Sequence, residues 1–279
     1  MNLKSLALAA ATLGALSAQA QTVTVMGSTA LGPLMKRAAE MYMKSHPGVQ
    51  IAISGGGSMT GLNQVTSGNC TIGISDVFAT PDQEKAGIKN YNVVIEPFTL
   101  VVNPSVPVRN LTSQQAEAIF TGAVSNWNQV GGPDMKVVRI NRPESSGTRA
   151  VQQKTVLNGK PFSNDQLIMD STGAVLTAAT TTRGAVCFIE LDFAEKNKGK
   201  IEAVSYNGAF CTPENVKAGK YPLFSYGHAY LNPAKTDAKT LAVAEDFLKY
   251  VLSDSFQEQV VPKAGYMPVA LAAKLKTKL

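Results

Sequence analysis

The stretch TVTVMGSTALGPL, residues 22–34, decides the fold. Its first five residues are a short strand rich in Val and Thr. Gly27 to Gly32 form a loop of small residues, and Pro33 stands at a favoured first-turn position of a helix. Leu34, Ala38, Met41 and Tyr42 recur at helical spacing until His46-Pro47-Gly48 stops the helix. Val49, Ile51 and Ile53 alternate as a second strand, and Gly55-Gly56-Gly57-Ser58 turns the chain into a second helix carrying Leu62 and Val65. Cys70 to Ser75 is strand-like and ends at Asp76. Strand, helix, strand, helix, strand is the rhythm of a parallel sheet covered by helices, so an α/β fold is expected.

Working outward, Thr80-Pro81-Asp82-Gln83 reads as a helix start with a capping box. Val93 to Val102 is a long apolar strand interrupted at Glu96-Pro97, and Leu111 to Phe120 is a helix opened by Thr112. Lys136 to Asn141 is a strand that runs into Arg142-Pro143-Glu144-Ser145-Ser146-Gly147-Thr148 and a helix through Val156. Strands follow at Gly184 to Ile189, Ile201 to Tyr206 and Tyr221 to Leu231, and helices from Thr236 and Ser255 close the chain. No linker rich in Pro, Gly or Ser separates two halves, which argues against beads on a string.

Residues 1–20 stand apart. Lys4 precedes an apolar run from Leu6 to Leu16, and Ala18-Gln19-Ala20 offers the small-x-small pattern of signal peptidase. This is the pattern of a secretory leader, too short for a spanning helix, with cleavage before Gln21. The formal charge of +6 helps attract anions at a distance or simply aids solubility. No basic stripe with interleaved aromatics marks a nucleic-acid surface. With only His46 and His228 and no Cys-x-x-Cys, a zinc site is not expected, nor is any other metal or cofactor.

Three segments share one design of strand, Gly/Ser/Thr loop and helix: Gly27 to Ala30, Gly55 to Ser58, and Arg142 to Thr148. The first turn of a helix carries unpaired N–H groups and a partial positive charge, glycine admits a ligand to the backbone, and hydroxyls add donors. Any one loop reads most simply as a plain helix cap. Three in one chain, one with an arginine whose planar fork matches two oxygens of a tetrahedral anion, point to a site. No Walker pattern, dinucleotide fingerprint or Gly-x-Ser-x-Gly elbow is present.

These residues resemble the periplasmic phosphate-binding proteins of ABC transporters. The likeness runs over Gly27-Ser28-Thr29-Ala30-Leu31 with Pro33, Gly55-Gly56-Gly57-Ser58 with Gly61, Ile72-Gly73-x-Ser75-Asp76, and Arg142 with Ser146-Gly147-Thr148. Leu111-Thr112 to Trp127 and Gly265-Tyr266-x-Pro268 are also similar to the family. Thr71 stands where many relatives carry an acid. The resemblance implies a two-lobed, type II periplasmic binding protein with central mixed sheets and a two-stranded hinge. Lobe one would comprise residues 21–97 and 226–279, and lobe two residues 98–225. It implies ligand donors at Thr29, Ala30 and Ser58 from one lobe and Arg142, Ser146, Gly147 and Thr148 from the other. Asp76 is implied as an acceptor, and Glu144 as an acid that braces Arg142.

The implied protein is a monomer in the periplasm that captures inorganic phosphate by closure and hands it to a membrane ABC permease, without catalysis. A buried Asp76 would select a ligand that keeps a proton, as phosphate does near neutral pH and sulfate does not. Receptors for other oxyanions, a secreted phosphohydrolase and an adhesion or sensing protein on the same fold are the competing readings. Of the three cysteines, Cys187 and Cys211 fall in the same expected lobe and are the favoured disulfide pair, with Cys70 left over; three buried free thiols is the other possibility.

Overall fold

The computed structural model describes residues 21–275, so the expected leader lies outside the described residues. The first part of the chain follows the sequence closely. Strand β1 (Gln21–Gly27) buries Val23 and Val25 and leads into helix α1 (Gly32–Ser45). Leu34, Met35, Ala38, Ala39 and Tyr42 form the buried stripe of α1; Met41 lies at its margin and is exposed. Strand β2 (Val49–Gly56), helix α2 (Ser58–Ser67), strand β3 (Ile72–Ser75) and the short helix α3 (Pro81–Lys85) come next. Thr80 caps α3 with Gln83 in the expected capping box.

Strand β4 (Lys89–Val102) corrects the expectation of a break at Glu96-Pro97: it runs through both residues for 14 positions. The Phe98 N–H donates to the Leu223 carbonyl, so the edge that Pro97 leaves without a donor is the opposite one. On that edge the neighbouring strand has already ended its pairing at Ile95. A proline there removes no ladder bond.

The remainder comprises β5 (Asn110–Leu111), α4 (Ser113–Thr121), β6 (Val138–Asn141), α5 (Gly147–Thr155), β7 (Gln166–Ile168), α6 (Thr172–Thr181), β8 (Ala185–Glu190) and α7 (Leu191–Lys196). These are followed by β9 (Glu202–Tyr206), α8 (Pro213–Lys217), β10 (Phe224–Leu231), α9 (Ala238–Val251), α10 (Asp254–Gln259) and β11 (Met267–Pro268). The strands form one mixed sheet in the order β2-β1-β3-β10-β4-β8-β6-β7. β1 pairs parallel with β2 and β3, β6 pairs parallel with β7 and β8, and β4 pairs antiparallel with β10, β8, β9 and β11.

β4 carries the chain from one hydrophobic core to others. Val93 and Val94 join the cluster of Leu34, Tyr42, Phe247 and Phe256. Phe98, Leu100 and Val102 join Phe120, Trp127, Phe188 and Tyr221, while Val101 on the other face joins Ile140, Val175 and Cys187. The period-two alternation of a strand thus feeds two packed layers at once. Each such side chain contributes about 1.5–3 kcal/mol by leaving water. Cys70, Cys187 and Cys211 are buried free thiols. The favoured Cys187–Cys211 pair is therefore not formed: Cys187 packs with Val101 and Ile140, whereas Cys211 belongs to the Trp127 and Tyr221 core. Among the described residues, no helix is long and apolar enough to cross a membrane.

Candidate anion site

The three loops singled out in the sequence meet at one place, where the elements around β3 face those around β6 and β8. A Cβ added to Gly147, the first residue of α5, would lie 2.2 Å from Ser58 Oγ and 2.8 Å from Asp76 Oδ2. Gly57 has a φ of +91°, and a Cβ there would meet the Ser145 carbonyl oxygen at 2.5 Å. The Met59 N–H donates to that same carbonyl at 3.0 Å. The Thr172 N–H, at the start of α6, donates to Thr29 Oγ1 at 3.2 Å. The starts of α2, α5 and α6 and the loop before α1 therefore converge, and their positive ends add. Ser58, Asp76, Arg142, Ser146 and Thr148 are each at most 3% exposed, so the site is enclosed.

Most hydroxyls here are oriented by accepting from the backbone, which leaves their protons available. Ser58 Oγ accepts from the Asp76 N–H at 3.0 Å. Ser146 Oγ caps α5 by accepting from the Arg149 N–H. Ser28 Oγ accepts from the Ala30 and Leu31 N–H groups, and the Ser28 hydroxyl also stabilises the Asp76 carboxylate. The Ala30 N–H expected to donate to a ligand is thus engaged by Ser28. The Ala30 carbonyl accepts from the Tyr266 hydroxyl at 2.6 Å.

Arg142 is buried, with Nη1 donating to Thr172 Oγ1 at 3.2 Å and Nη2 to the Asp170 carbonyl at 3.1 Å. Its Nε meets no acceptor. Burial pulls its pKa down, and the charges of Glu190, Asp76 and Asp170 push it back up. Glu144 does not brace it. That side chain is exposed and acts on Arg149 instead, because it follows Pro143 on the outer side of the loop. Arg149 points away as well, with its guanidinium 4.3 Å above the Phe162 ring and bonded to the Arg142 carbonyl.

Three carboxyls gather beside Arg142: Asp76 at the end of β3, Glu96 within β4 and Glu190 at the end of β8. Asp76 Oδ2 accepts from Thr148 Oγ1 at 3.2 Å, and Thr148 Oγ1 also lies 2.8 Å from Glu190 Oε1. Asp76 Oδ1 meets no donor at hydrogen-bond geometry. Burial raises Asp76, while Ser28, Arg142, Thr148 and Glu96 oppose the rise. Burial, with the Asp76 and Glu190 charges behind it, lifts Glu96 well above the usual range, and neither of its carboxyl oxygens has a hydrogen-bond partner. Burial and the Asp76 charge push Glu190 up to about 7. Among the described residues no group of His, Cys, Asp and Glu is arranged to hold a metal ion.

The two histidines lie outside this constellation. His228 Nδ1 pairs with Asn90 Oδ1 at 3.0 Å, and burial pulls its pKa down to about 3, so it is neutral. His46 stacks on Tyr42 and faces Asp246. Sequence reasoning missed Ser28, Glu96, Thr172 and Glu190. A Ser-Thr pair before Gly173 could have marked the α6 start as a fourth capping loop, since Ser171 Oγ accepts from the Ala174 N–H.

A family model described as PBP superfamily domain matches residues 14–255. The phosphate-binding protein PstS of Bacillus subtilis is 36% identical over 253 residues, covering 89% of this chain and 81% of the relative. A phosphate ABC transporter substrate-binding protein from Clostridium perfringens, solved with bound phosphate, superimposes with a TM-score of 0.82 at 27% identity, over 89% of this chain and 99% of that one. An ABC-type phosphate transport receptor from Vibrio cholerae gives 0.70 at 25% identity, over 88% and 99%. With the family model spanning most of the chain and a relative of this identity matched over most of its length, this chain belongs to the PBP superfamily and, within it, to the family of phosphate-binding proteins.

Proposed function

We propose that this protein captures inorganic phosphate, carrying one proton, outside the cytoplasm and delivers it to a membrane ABC permease. One observation carries the reading: a buried carboxyl oxygen without a donor, Asp76 Oδ1, lies where donors from several elements converge. Those donors are the Arg142 guanidinium, the hydroxyls of Ser58, Ser146 and Thr148, and the helix start at Gly147. Converging donors with the Asp76 carboxyl among them suit a tetrahedral anion that still has a proton to give. Sulfate offers Asp76 a lone pair instead, which leaves a buried repulsion of several kcal/mol as an order of magnitude. The relatives from Bacillus subtilis and Borreliella burgdorferi, each matched over most of its length, are named for binding phosphate.

Residues 21–97 with 226–279 form lobe one in this reading, and 98–225 form lobe two. The chain crosses between them near Pro97 and near Phe224, which are cross-strand partners, and these two strands act as the hinge. Ligand favours the closed arrangement because only there do donors from both lobes reach it. Export through the leader at 1–20, a monomeric state, no nucleic-acid partner and no turnover complete the proposal. Neither histidine bonds Ser58, Ser146 or Thr148, which supports binding without a hydroxyl nucleophile activated by an imidazole base.

Calorimetric titration of the mature protein with phosphate, arsenate and sulfate tests this. Phosphate and arsenate should bind and sulfate should not, and Asp76→Asn should narrow the gap between phosphate and sulfate. Equal binding of sulfate by the wild-type protein, or unchanged selectivity in Asp76→Asn, would remove Asp76 from the role.

A further inference from the structure

Thr148 has more partners than it has protons. Its Oγ1 lies 2.8 Å from Glu190 Oε1 and 3.2 Å from Asp76 Oδ2. A threonine hydroxyl donates one hydrogen bond. If both carboxyls were ionised, that proton could satisfy one of them, and the other would press a lone pair against the hydroxyl oxygen. No proton would then remain for an anion. If Glu190 carries the proton on Oε1, Glu190 donates to Thr148, whose one proton then goes to Asp76 Oδ2, as it lies here, or turns to an anion that gives Asp76 a hydrogen bond from its own proton in exchange. We infer that Glu190 is a positioning residue that must hold a proton for Thr148 to present its hydroxyl proton to the bound anion, so that anion capture and proton uptake are linked. This rests on the reading of the site as a phosphate pocket.

The surroundings favour the protonated form. Glu190 is 1% exposed at the end of β8, and its Oε2 has no partner. Facing it are Asp76 from β3, Glu96 from β4, Arg142 from the loop after β6 and Tyr266 from the segment before β11, with Cys187 on its own strand. Burial and the Asp76 charge place Glu190 at about 7, where a proton can be taken up when an anion arrives. An incoming anion adds negative charge beside the carboxyl and raises its proton affinity further. A chain of donors Glu190, Thr148, anion is also polarised in one direction.

The test is calorimetry of phosphate binding between about pH 6 and 9, in buffer pairs that differ in ionisation enthalpy, on wild type and Glu190→Gln. The glutamine amide donates at every pH, and the titration of phosphate itself is common to both proteins. On the alkaline side the wild type should lose affinity relative to Glu190→Gln by up to about tenfold per pH unit, and should take up about one more proton per phosphate bound. Superimposable pH profiles and equal proton uptake would overturn the inference while leaving phosphate capture intact. If phosphate fails to bind the wild type at any pH, the underlying reading falls and this one with it. Should Glu190→Gln not fold, infrared difference spectra of the wild type decide: phosphate addition at mildly alkaline pH should raise a protonated-carboxyl band, and a flat difference spectrum would refute the linkage.

Discussion

Arg142 shows how a single side chain can be built for one ligand geometry. Its two terminal nitrogens are spoken for by Thr172 and by the Asp170 carbonyl, which fixes the plane of the guanidinium and leaves Nε free to donate. Removing it would leave Asp76 without its opposing charge as well as depriving an anion of its strongest donor. Arg142→Ala should weaken phosphate binding by about 2–5 kcal/mol, the usual effect of truncating one member of a buried charged pair. Arg142→Lys should recover only a part, because an ammonium cannot hold both partners in one plane. Titration calorimetry on the two variants checks both statements, and near-native affinity in Arg142→Ala would exclude it from the pocket. Residues such as Arg142, Ser58 and Thr148 were legible in the sequence because each lies in a strand–loop–helix junction, where caps and ligands use the same chemistry. Glu96 and Glu190 were not. Each sits inside or at the end of an apolar strand, and only the pairing of β4 with β8 and β10 brings them to Asp76.

At the scale of elements, the site is a meeting of helix starts, and their close approach depends on missing side chains. Gly147 is the clearest case, because a methyl group there would drive into the Ser58 hydroxyl, which is short and anchored on α2 and cannot swing aside. The backbone at Gly147 is ordinary helix, so alanine carries no conformational strain of its own. Gly147→Ala should therefore leave the fold near its native stability and impair only the joining of α5 to α2. A comparable overpacking costs about 1–3 kcal/mol, or about five- to 150-fold in the phosphate Kd. Parallel thermal unfolding without ligand and phosphate titration would separate the two effects. A large loss of ligand-free stability would mean that α5 and α2 belong to one rigid unit. Elements with capping boxes, such as α3 and α4, were readable because their boundary residues carry their own hydrogen bonds. The strand β4 read as broken because a proline inside an apolar run usually signals an end, and only the loss of a partner on one edge makes Pro97 harmless. Helix α6 is hard to read for the opposite reason: Thr172, Gly173, Thr177, Thr180 and Thr181 all lower helix propensity, and packing of Val175 and Ala179 on β8 overrides them.

The whole molecule contains a group of carboxyls whose protons are held more tightly folded than unfolded, and this gives its stability a distinctive pH dependence. Burial lifts Glu190 from its usual 4.5 to about 7 and lifts Glu96 well above that usual value. A raised carboxyl contributes stability that is fully present below its unfolded value, where both states are protonated. That contribution is lost as pH rises through the folded value, because the folded protein must then ionise a group in a dry site. For Glu190 the window runs from about 4.5 to about 7, and the loss amounts to at most about 3 kcal/mol. Glu96, also raised, acts in the same direction. Carboxyls held low by hydrogen bonds, such as Asp165 and Asp237, act in the opposite direction, but only below the ordinary carboxylate range. Urea unfolding of the ligand-free protein in phosphate-free buffers should thus show a midpoint that falls between about pH 5 and 7, where many proteins are near their maximum. Glu190→Gln should make that fall shallower, because the glutamine amide has no proton to lose. A wild-type midpoint that is level or rises over that interval would mean that these carboxyls ionise in the folded protein without penalty.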